Sequence, residues 1–242
     1  MTDALFISDL HLSRARPAVT TLFLRFLEEQ GGTAKNLYIL GDLFDAWIGD
    51  DDNTPPIPEI RRALRATAAQ GTDIHLMHGN RDFLIGEQFA AEAGCSLISD
   101  PTLIQLPQGA ALLMHGDLLC SDDREYQQAR KFLRSGGFID DFLSKTVDER
   151  TILAAEYRKR SGEVISLKPA DIMDVNQQAV EAYMSGNGAT LLIHGHTHRP
   201  DSHRFALNGE ELRRIVLGDW CEEQGPYLRA GVSGLSSHLT IP

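Results

Sequence analysis

Cysteine is scarce in this chain. Cys95, Cys120 and Cys221 are the only three among 242 residues, and none stands in a C-x-x-C pair. That excludes a disulfide framework and a thiolate metal site, and it points to reduced thiols in a cytosolic protein. Long apolar runs are missing as well. Nothing approaches the roughly 20 residues that a bilayer span needs, and the opening MTDALFISDL carries an acid and no basic segment. Neither a membrane-spanning helix nor a secretory signal is expected. Positive charge is in deficit, with 23 Lys and Arg against 34 Asp and Glu and a formal net charge of -11. Such a chain is repelled by the phosphates of nucleic acid, so a nucleic-acid partner is not expected and a site that gathers cations is. Internal repeats and low-complexity linkers are also absent.

What is present is a recurring pattern. Short apolar runs end abruptly in polar residues at ALFISDLH, NLYILGD, DIHLMHGN, ALLMHGD and TLLIHGH, each the signature of a buried strand closing in a tight turn. Helical segments separate the first three. Pro17 suits a first helical turn, Val19, Leu22, Phe23, Phe26 and Leu27 form an apolar face at helical spacing, and Gly31 with Gly32 is expected to cap the C-terminus. The same face recurs at Ile60, Ala63, Leu64 and Thr67, ahead of Gly71. Alternating strands and helices imply βαβ units and a largely parallel sheet, while PQG at 107–109 and NG at 208–209 read as hairpin turns that add antiparallel pairs. The expected architecture is α/β, two stacked sheets covered by helices, in a single domain over residues 1–242. Residues 122–168 differ in character, with helical periodicity throughout and one break, Gly136-Gly137, between two segments. They read as an inserted helical cap over the sheet edge and the active site.

In open α/β sheets, ligands bind beyond the carboxyl ends of the strands. That rule gathers Asp9, His11, Asp42, Asn80, His115, His196 and His198 into one place. Strand alternation is expected to turn Asp9 and His11 to one side, and His196 and His198 likewise, while His194 points away and supports a neighbour. Seven nitrogen and oxygen donors with no sulfur are too many for one zinc tetrahedron and suit two higher-coordinate ions such as Mn²⁺, with Asp42 between them. Two such ions clamp a phosphoryl oxygen and activate water, a machine for hydrolysing phosphate esters or anhydrides. Taken singly, SDLH, GD and GNRD are ordinary strand-end turns; five of them in order, each at a strand end, carry the reading.

Together D-x-H, GDLFD, GNRD, HGD and GHTH resemble the calcineurin-like metallophosphoesterases over nearly the whole chain. The resemblance implies a four-layer αββα sandwich and a two-metal site. One ion would take Asp9, His11 and His198, the other Asn80, His115 and His196, and Asp42 would bridge. Longer stretches, LYILGDLFDAWIGDDD, HGNRDFLIG, MHGDLLCSDD, IMDVNQQAV and LIHGHTHRP, resemble the UDP-2,3-diacylglucosamine diphosphatase family of lipid A biosynthesis in Gram-negative bacteria. That implies cleavage of a UDP-linked diacylated glucosamine to UMP and 2,3-diacylglucosamine 1-phosphate, lipid X, with two Mn²⁺ ions per chain and water attacking the phosphorus nearest uridine. Carried over residue by residue, Asn80 and Arg81 would contact the diphosphate, and Asp123, Ser161, Lys168 and His196 would help hold the substrate. Ile165 stands where the family has a polar residue. The resemblance further implies a cytoplasmic protein, peripheral on the cytoplasmic face of the inner membrane, with no obligate protein partner.

Arg81 bears on the substrate. Many relatives have histidine at this place after GN, where it can protonate a departing alkoxide, whereas guanidinium keeps its proton. It can stabilise developing charge, and a phosphate leaving group needs little help from an acid, so Arg81 and Asp42 are the expected catalytic residues for an anhydride. The cap carries Phe132, Leu133, Phe138, Ile139, Phe142, Leu143, Ile152 and Leu153 interleaved with Arg130, Lys131, Arg134, Arg150, Arg158, Lys159 and Arg160. That surface suits acyl chains and anionic headgroups, though apolar faces also serve simple packing. Asp50, Asp51 and Asp52 read as a solvated acidic turn, Asp45 and Asp82 as supports for the ligands, Cys120 as a buried thiol, and His75, His203 and His238 as ordinary histidines. Two rivals remain: a broader phosphoesterase on nucleotides, phosphoproteins or DNA, and a binding scaffold that keeps the fold. A scaffold is expected to lose ligands, and here all seven positions are filled.

Overall fold

The computed structural model describes residues 3–165 and 174–242, with backbone only for residues 160–165. In chain order the first half comprises β1 (Ala4–Ile7), α1 (Pro17–Glu29), β2 (Asn36–Leu40), α2 (Ile57–Ala69), β3 (Asp73–Met77), α3 (Glu87–Ala93), β4 (Cys95–Ile98), β5 (Thr102–Leu106) and β6 (Gly109–Met114). Three helices follow, α4 (Arg124–Leu133), α5 (Gly136–Leu143) and α6 (Val147–Ile165), then α7 (Gln177–Gly186), β7 (Leu191–His194), β8 (Asp201–Leu207), β9 (Glu210–Val216), β10 (Gly225–Gly231) and β11 (Gly234–Thr240). One sheet runs β11-β10-β1-β2-β3-β4 and the other β5-β6-β7-β9-β8. Neighbours from β1 to β4 are parallel, as are β6-β7 and β7-β9, and the hairpin strands at the rims are antiparallel.

Alternation along the strands sorts the side chains into three cores and so builds four layers. From β1, Leu5 and Ile7 join α1, α2 and α3 in one core, while Ala4 and Phe6 turn into the space between the sheets. On the second sheet Ala111, Leu113 and Ile193 meet them there, whereas Leu112, Met114 and Leu192 face α7 through Val180 and Met184. The result is helix, sheet, sheet, helix, as the family resemblance implies. Trp220 closes the outer core, edge-on to Phe23 and Phe26 at 5.8 and 5.6 Å between ring centroids.

Helix α1 begins at Pro17 and buries the five expected apolar residues. Its end differs from the glycine cap. Gln30 closes the helix in right-handed conformation and Gly31–Thr33 form a 3-10 turn, where a Cβ on Gly31 would come within 2.7 Å of Thr67 Cγ2. Close packing against α2, not a left-handed cap, is what requires glycine there. Both hairpins form where expected, and Asn208 and Gly209 share positive φ, 52° and 84°, as a type I′ turn demands.

Residues 124–165 form three helices where the sequence pattern suggests two. Ser135 caps α5 just ahead of the two glycines. The additional break lies at Ser144–Thr146, and its signal is TVDE. Thr146 N donates to Glu149 Oε2 at 2.9 Å and Glu149 N to Thr146 Oγ1 at 3.3 Å, a capping box. Phe142 is buried in the outer core, with Phe138, Ile139 and Leu153 packed against it, so those four serve packing. Phe132, Leu143, Ile152 and Tyr157 stay exposed.

Candidate metal centre

The candidate residues sit just past the strand ends, and their backbone is not extended. Asp9, His11, Asp42, His196 and His198 all have positive φ, between 49° and 70°. Left-handed backbone, not strand alternation, is what turns Asp9 and His11, and then His196 and His198, into one cavity. Among the described residues only one other non-glycine, Asn208 in its hairpin, shares this conformation. For an L residue it costs on the order of 1 kcal/mol or more, and clusters of such residues mark functional sites. The loops are stitched together beyond the strands: Asp9 N donates to Gly41 O (3.1 Å), His11 N to Asp42 O (2.9 Å) and Gly195 N to His115 O (2.8 Å). Gly41, with φ of 88°, leaves room that a Cβ would fill, 2.5 Å from His115 Nδ1 and 2.6 Å from Gly79 Cα.

All seven side chains converge. Asp9, His11 and His198 each offer an atom within 4.8 Å of the others, and so do Asp9, Asp42 and His115. His11 and His198 bring their Nε2 atoms to 3.3 Å. Asp42 lies between the two histidine groups, Oδ2 at 3.8 Å from His11 Nδ1 and Oδ1 at 3.9 Å from His115 Nε2. Asn80 Oδ1 faces His115 Nε2 at 3.0 Å and His196 Nδ1 at 2.9 Å. The Nδ1–H of His115 donates to Leu40 O (2.9 Å), which leaves Nε2 free to turn inward.

The electrostatics call for positive charge. Burial, with Asp82 and Asp9 nearby, pushes Asp42 up to about 7 against the pull of His115. Burial alone would lower His115, but Asp42, Asp117 and Asp9 hold it up at about 9. Burial keeps His11 and His196 neutral, at about 4 each. Asp9 Oδ1 and His11 Nδ1 are buried without a hydrogen-bond partner, although His198 Nε2 lies 3.4 Å from the former. Orphaned lone pairs, crowded carboxylates and neutral imidazoles fit divalent cations bound by oxygen and nitrogen.

Several supports escape the sequence reading. Asp117, third residue of HGD, is fully buried and takes hydrogen bonds from Tyr126 Oη (2.6 Å) and Arg130 Nε (2.7 Å). Arg16 grips the first loop, donating to Leu10 O at 2.9 Å and Trp220 O at 2.6 Å. Asp219 stands 3.7 Å from His198 Nδ1. His194 is buried, donates through Nδ1 to Gly195 O (2.9 Å), and faces Arg214 Nη1 at 3.3 Å through Nε2, so it supports the loop as expected. Asp117 and His194 lie within the strand-end motifs; Arg16, Arg214 and Asp219 reach the site through contacts that no local pattern marks.

The acidic residues need correction. Asp82 does support a ligand, since it accepts from the amides of Asp42, Leu43, Phe44 and Gly79. Its carboxylate is thereby committed to backbone, not to Arg81. Asp45 instead pairs with Arg158 of α6. The acidic turn is solvated only in part: Asp51 keeps its side chain 59% exposed, while Asp50 turns inward. Asp50 accepts from Gly86 N (2.8 Å) and Phe89 N (2.9 Å) at the start of α3 and from Trp47 Nε1 (3.1 Å). Asp51 pairs with the buried Arg150. The cap's basic character is likewise spent inward: Arg130 on Asp117, Arg134 on Gly79 O, Arg150 on Asp51 and Ile48 O, and Arg158 on Asp45.

Arg81 is half-buried beside Asp42, its amide donating to Asp42 Oδ1 at 2.8 Å. Asp123 is buried and caps α4, accepting from Tyr126 N at 3.0 Å, and the Tyr126 ring lies 6.1 Å from that of His196. The side chains of Ser161 and Ile165, and all of Lys168, lie outside the described residues. Among the described residues no helix is long and apolar enough to cross a membrane.

The chain is similar to known proteins over most of its length. The family described as calcineurin-like phosphoesterase matches residues 3–200. A protein of Marinobacter nauticus named UDP-2,3-diacylglucosamine hydrolase is 49% identical over 218 residues, covering 90% of this chain and 89% of its own. Proteins of the same name from Hahella chejuensis and Pseudomonas aeruginosa are each 47% identical, over 95% and 96% of this chain and 94% and 96% of their own.

Proposed function

Because this chain belongs to the calcineurin-like phosphoesterase family, we propose that it hydrolyses the diphosphate bond of UDP-2,3-diacylglucosamine, releasing UMP and 2,3-diacylglucosamine 1-phosphate. The family implies a dinuclear metal site, and the observation that carries the proposal is the convergence of seven nitrogen and oxygen donors on one buried cavity, with Asp42 between two groups of histidines. In this reading Asp9, His11 and His198 would hold one ion and Asn80, His115 and His196 the other, with Asp42 available to both. The mixed imidazole and carboxylate set supports Mn²⁺ as the cation. Two such cations, when bound, polarise water and the phosphoryl oxygens.

The chain's own residues do the rest. The water oxygen joins the phosphorus nearest uridine as the water releases a proton to solvent, the bond from that phosphorus to the bridging oxygen breaks, and its electron pair leaves with the lipid-bearing phosphate. Arg81, fixed through its backbone to Asp42, takes up the charge that develops on the departing oxygens. Asn80, Asp123 and His196 orient the substrate, with Ser161 and Lys168 as further contacts. Helices α4, α5 and α6 form a cap that receives the acyl chains. Exposed Phe132, Ile152 and Tyr157 support that role, and contact with the cytoplasmic face of the inner membrane.

Incubation of the purified protein with UDP-2,3-diacylglucosamine and Mn²⁺ should release UMP, with UDP-glucose and p-nitrophenyl phosphate far poorer substrates. Comparable turnover of the two simple compounds, with none of the lipid, would replace this reading by a broad phosphoesterase.

A further inference from the structure

Helix α4 packs without a buried side chain, and the stripe it turns inward is polar. Tyr126, Arg130 and Arg134 recur at four-residue spacing, which stacks them on one face. Tyr126 and Arg130 donate to Asp117 Oδ2, at 2.6 and 2.7 Å, and Gln127 Nε2 donates to the carbonyls of Asp117 (2.8 Å) and Cys120 (3.1 Å). Arg134 Nη2 donates to Gly79 O at 2.8 Å, and its guanidinium lies 5.4 Å from the centre of the Phe83 ring.

These anchors are not scattered. Asp117 follows His115 by two residues and Gly79 immediately precedes Asn80, the two side chains that meet across the cavity at 3.0 Å. The other side of the cavity is gripped from elsewhere, by Arg16 on Leu10 O and by Asp219 beside His198. We infer that α4 is a positioning clamp: Arg130 and Arg134 hold the HGD and GNR loops at the spacing that brings Asn80 and His115 together, and so set the affinity of one of two cations. Both are positioning residues acting through Asp117 and Gly79. The cap is thus part of the metal centre's frame as well as a surface for substrate. This rests on the two-cation reading of the cavity.

The test is calorimetric titration of metal-free protein with Mn²⁺, followed by steady-state kinetics. In Arg130→Gln and Arg134→Gln, one equivalent of Mn²⁺ should weaken about 10-fold or more while the other stays within about twofold, the range seen when supports of metal ligands are removed. In both variants kcat should fall with KM little changed, and Arg134→Lys, which restores a donor, should recover most of the loss. Gln128→Ala, on the exposed face of α4, should match the unaltered protein. If an arginine variant does not fold, Gln127→Leu releases two carbonyls without unpairing a charge and takes the same readout, with a smaller loss at the same equivalent. Unchanged Mn²⁺ affinities with a raised KM, or equal weakening of both equivalents, would overturn the inference. So would an unaltered protein that binds fewer than two equivalents. Two equivalents bound without release of UMP would overturn the substrate assignment alone.

Discussion

At the scale of single residues, the proton inventory of the cavity governs how it takes up cations. Below about 9 His115 carries a proton, held by Asp42, Asp117 and Asp9 against burial, and below about 7 Asp42 does, chiefly because it is buried. They lie 3.9 Å apart and titrate as a pair. A cation must displace those protons, so apparent Mn²⁺ affinity should rise between pH 6 and pH 9, with proton release visible as a buffer-dependent heat. An affinity flat across that range would contradict the pairing. Arg81 makes a second case. Arg81→Ala should lower kcat by roughly 100-fold or more, the usual loss of one charge-stabilising donor. Its Mn²⁺ affinity should not move, because only its amide touches a candidate ligand. The seven candidate ligands were legible because each closes a short motif. Asp219, Arg16 and Arg214 were not, since nothing local distinguishes a residue that reaches across 20 to 204 positions of chain to grip a loop.

Among the elements, what the sequence revealed follows from periodicity. Parallel strands, their connecting helices and both hairpins could be read directly, because apolar spacing and turn residues are local. The second break in the cap was also there to be read, in TVDE, but helical periodicity on either side masked it. The acidic turn was misjudged because its partners, the amides of Gly86 and Phe89 and the guanidinium of Arg150, lie 36 to 99 residues away. Asp50 serves α3 as a cap supplied from a distance. Asp50→Ala should therefore lower stability by about 1–2 kcal/mol, as loss of a helix cap does, in denaturant unfolding at unchanged kcat. A loss of activity at full stability would assign Asp50 to the chemistry instead.

Across the whole molecule, the division of strands between two sheets is what the sequence concealed. A strand covered on both faces is a continuous apolar run and does not say which side meets a helix. That division places Asp9, His11, Asp42 and Asn80 after strands of one sheet and His115, His196 and His198 after strands of the other. Cations held between the sheets must stabilise the whole fold. Mn²⁺ at about 100 times its dissociation constant should add roughly 2.7 kcal/mol per site. The pH trend has a definite sign. His115 sits at about 9, above its ordinary value of 6.5, so its protonated form stabilises fully below 6.5 and that contribution is lost as pH rises through 9. Between pH 7 and 9 the chelator-treated protein should melt at progressively lower temperature. The gap opened by Mn²⁺ should widen. His11 and His196, at about 4, change below this window, and Asp42, raised to about 7, loses its proton across its lower edge and acts in the same direction. A gap that narrows with rising pH would contradict the assignment.

The order in which donors occur along the chain adds a constraint in time. Asp9 is made first and His198 last, with β2 to β7 made between them. A nascent polypeptide still short of the final histidine can pair β1 to β4 but lacks β10 and β11 of the same sheet, and offers only an incomplete cage. Hydrolytic capacity then waits for His198 to be made, and products truncated before it are born inert toward nucleotide-linked lipids.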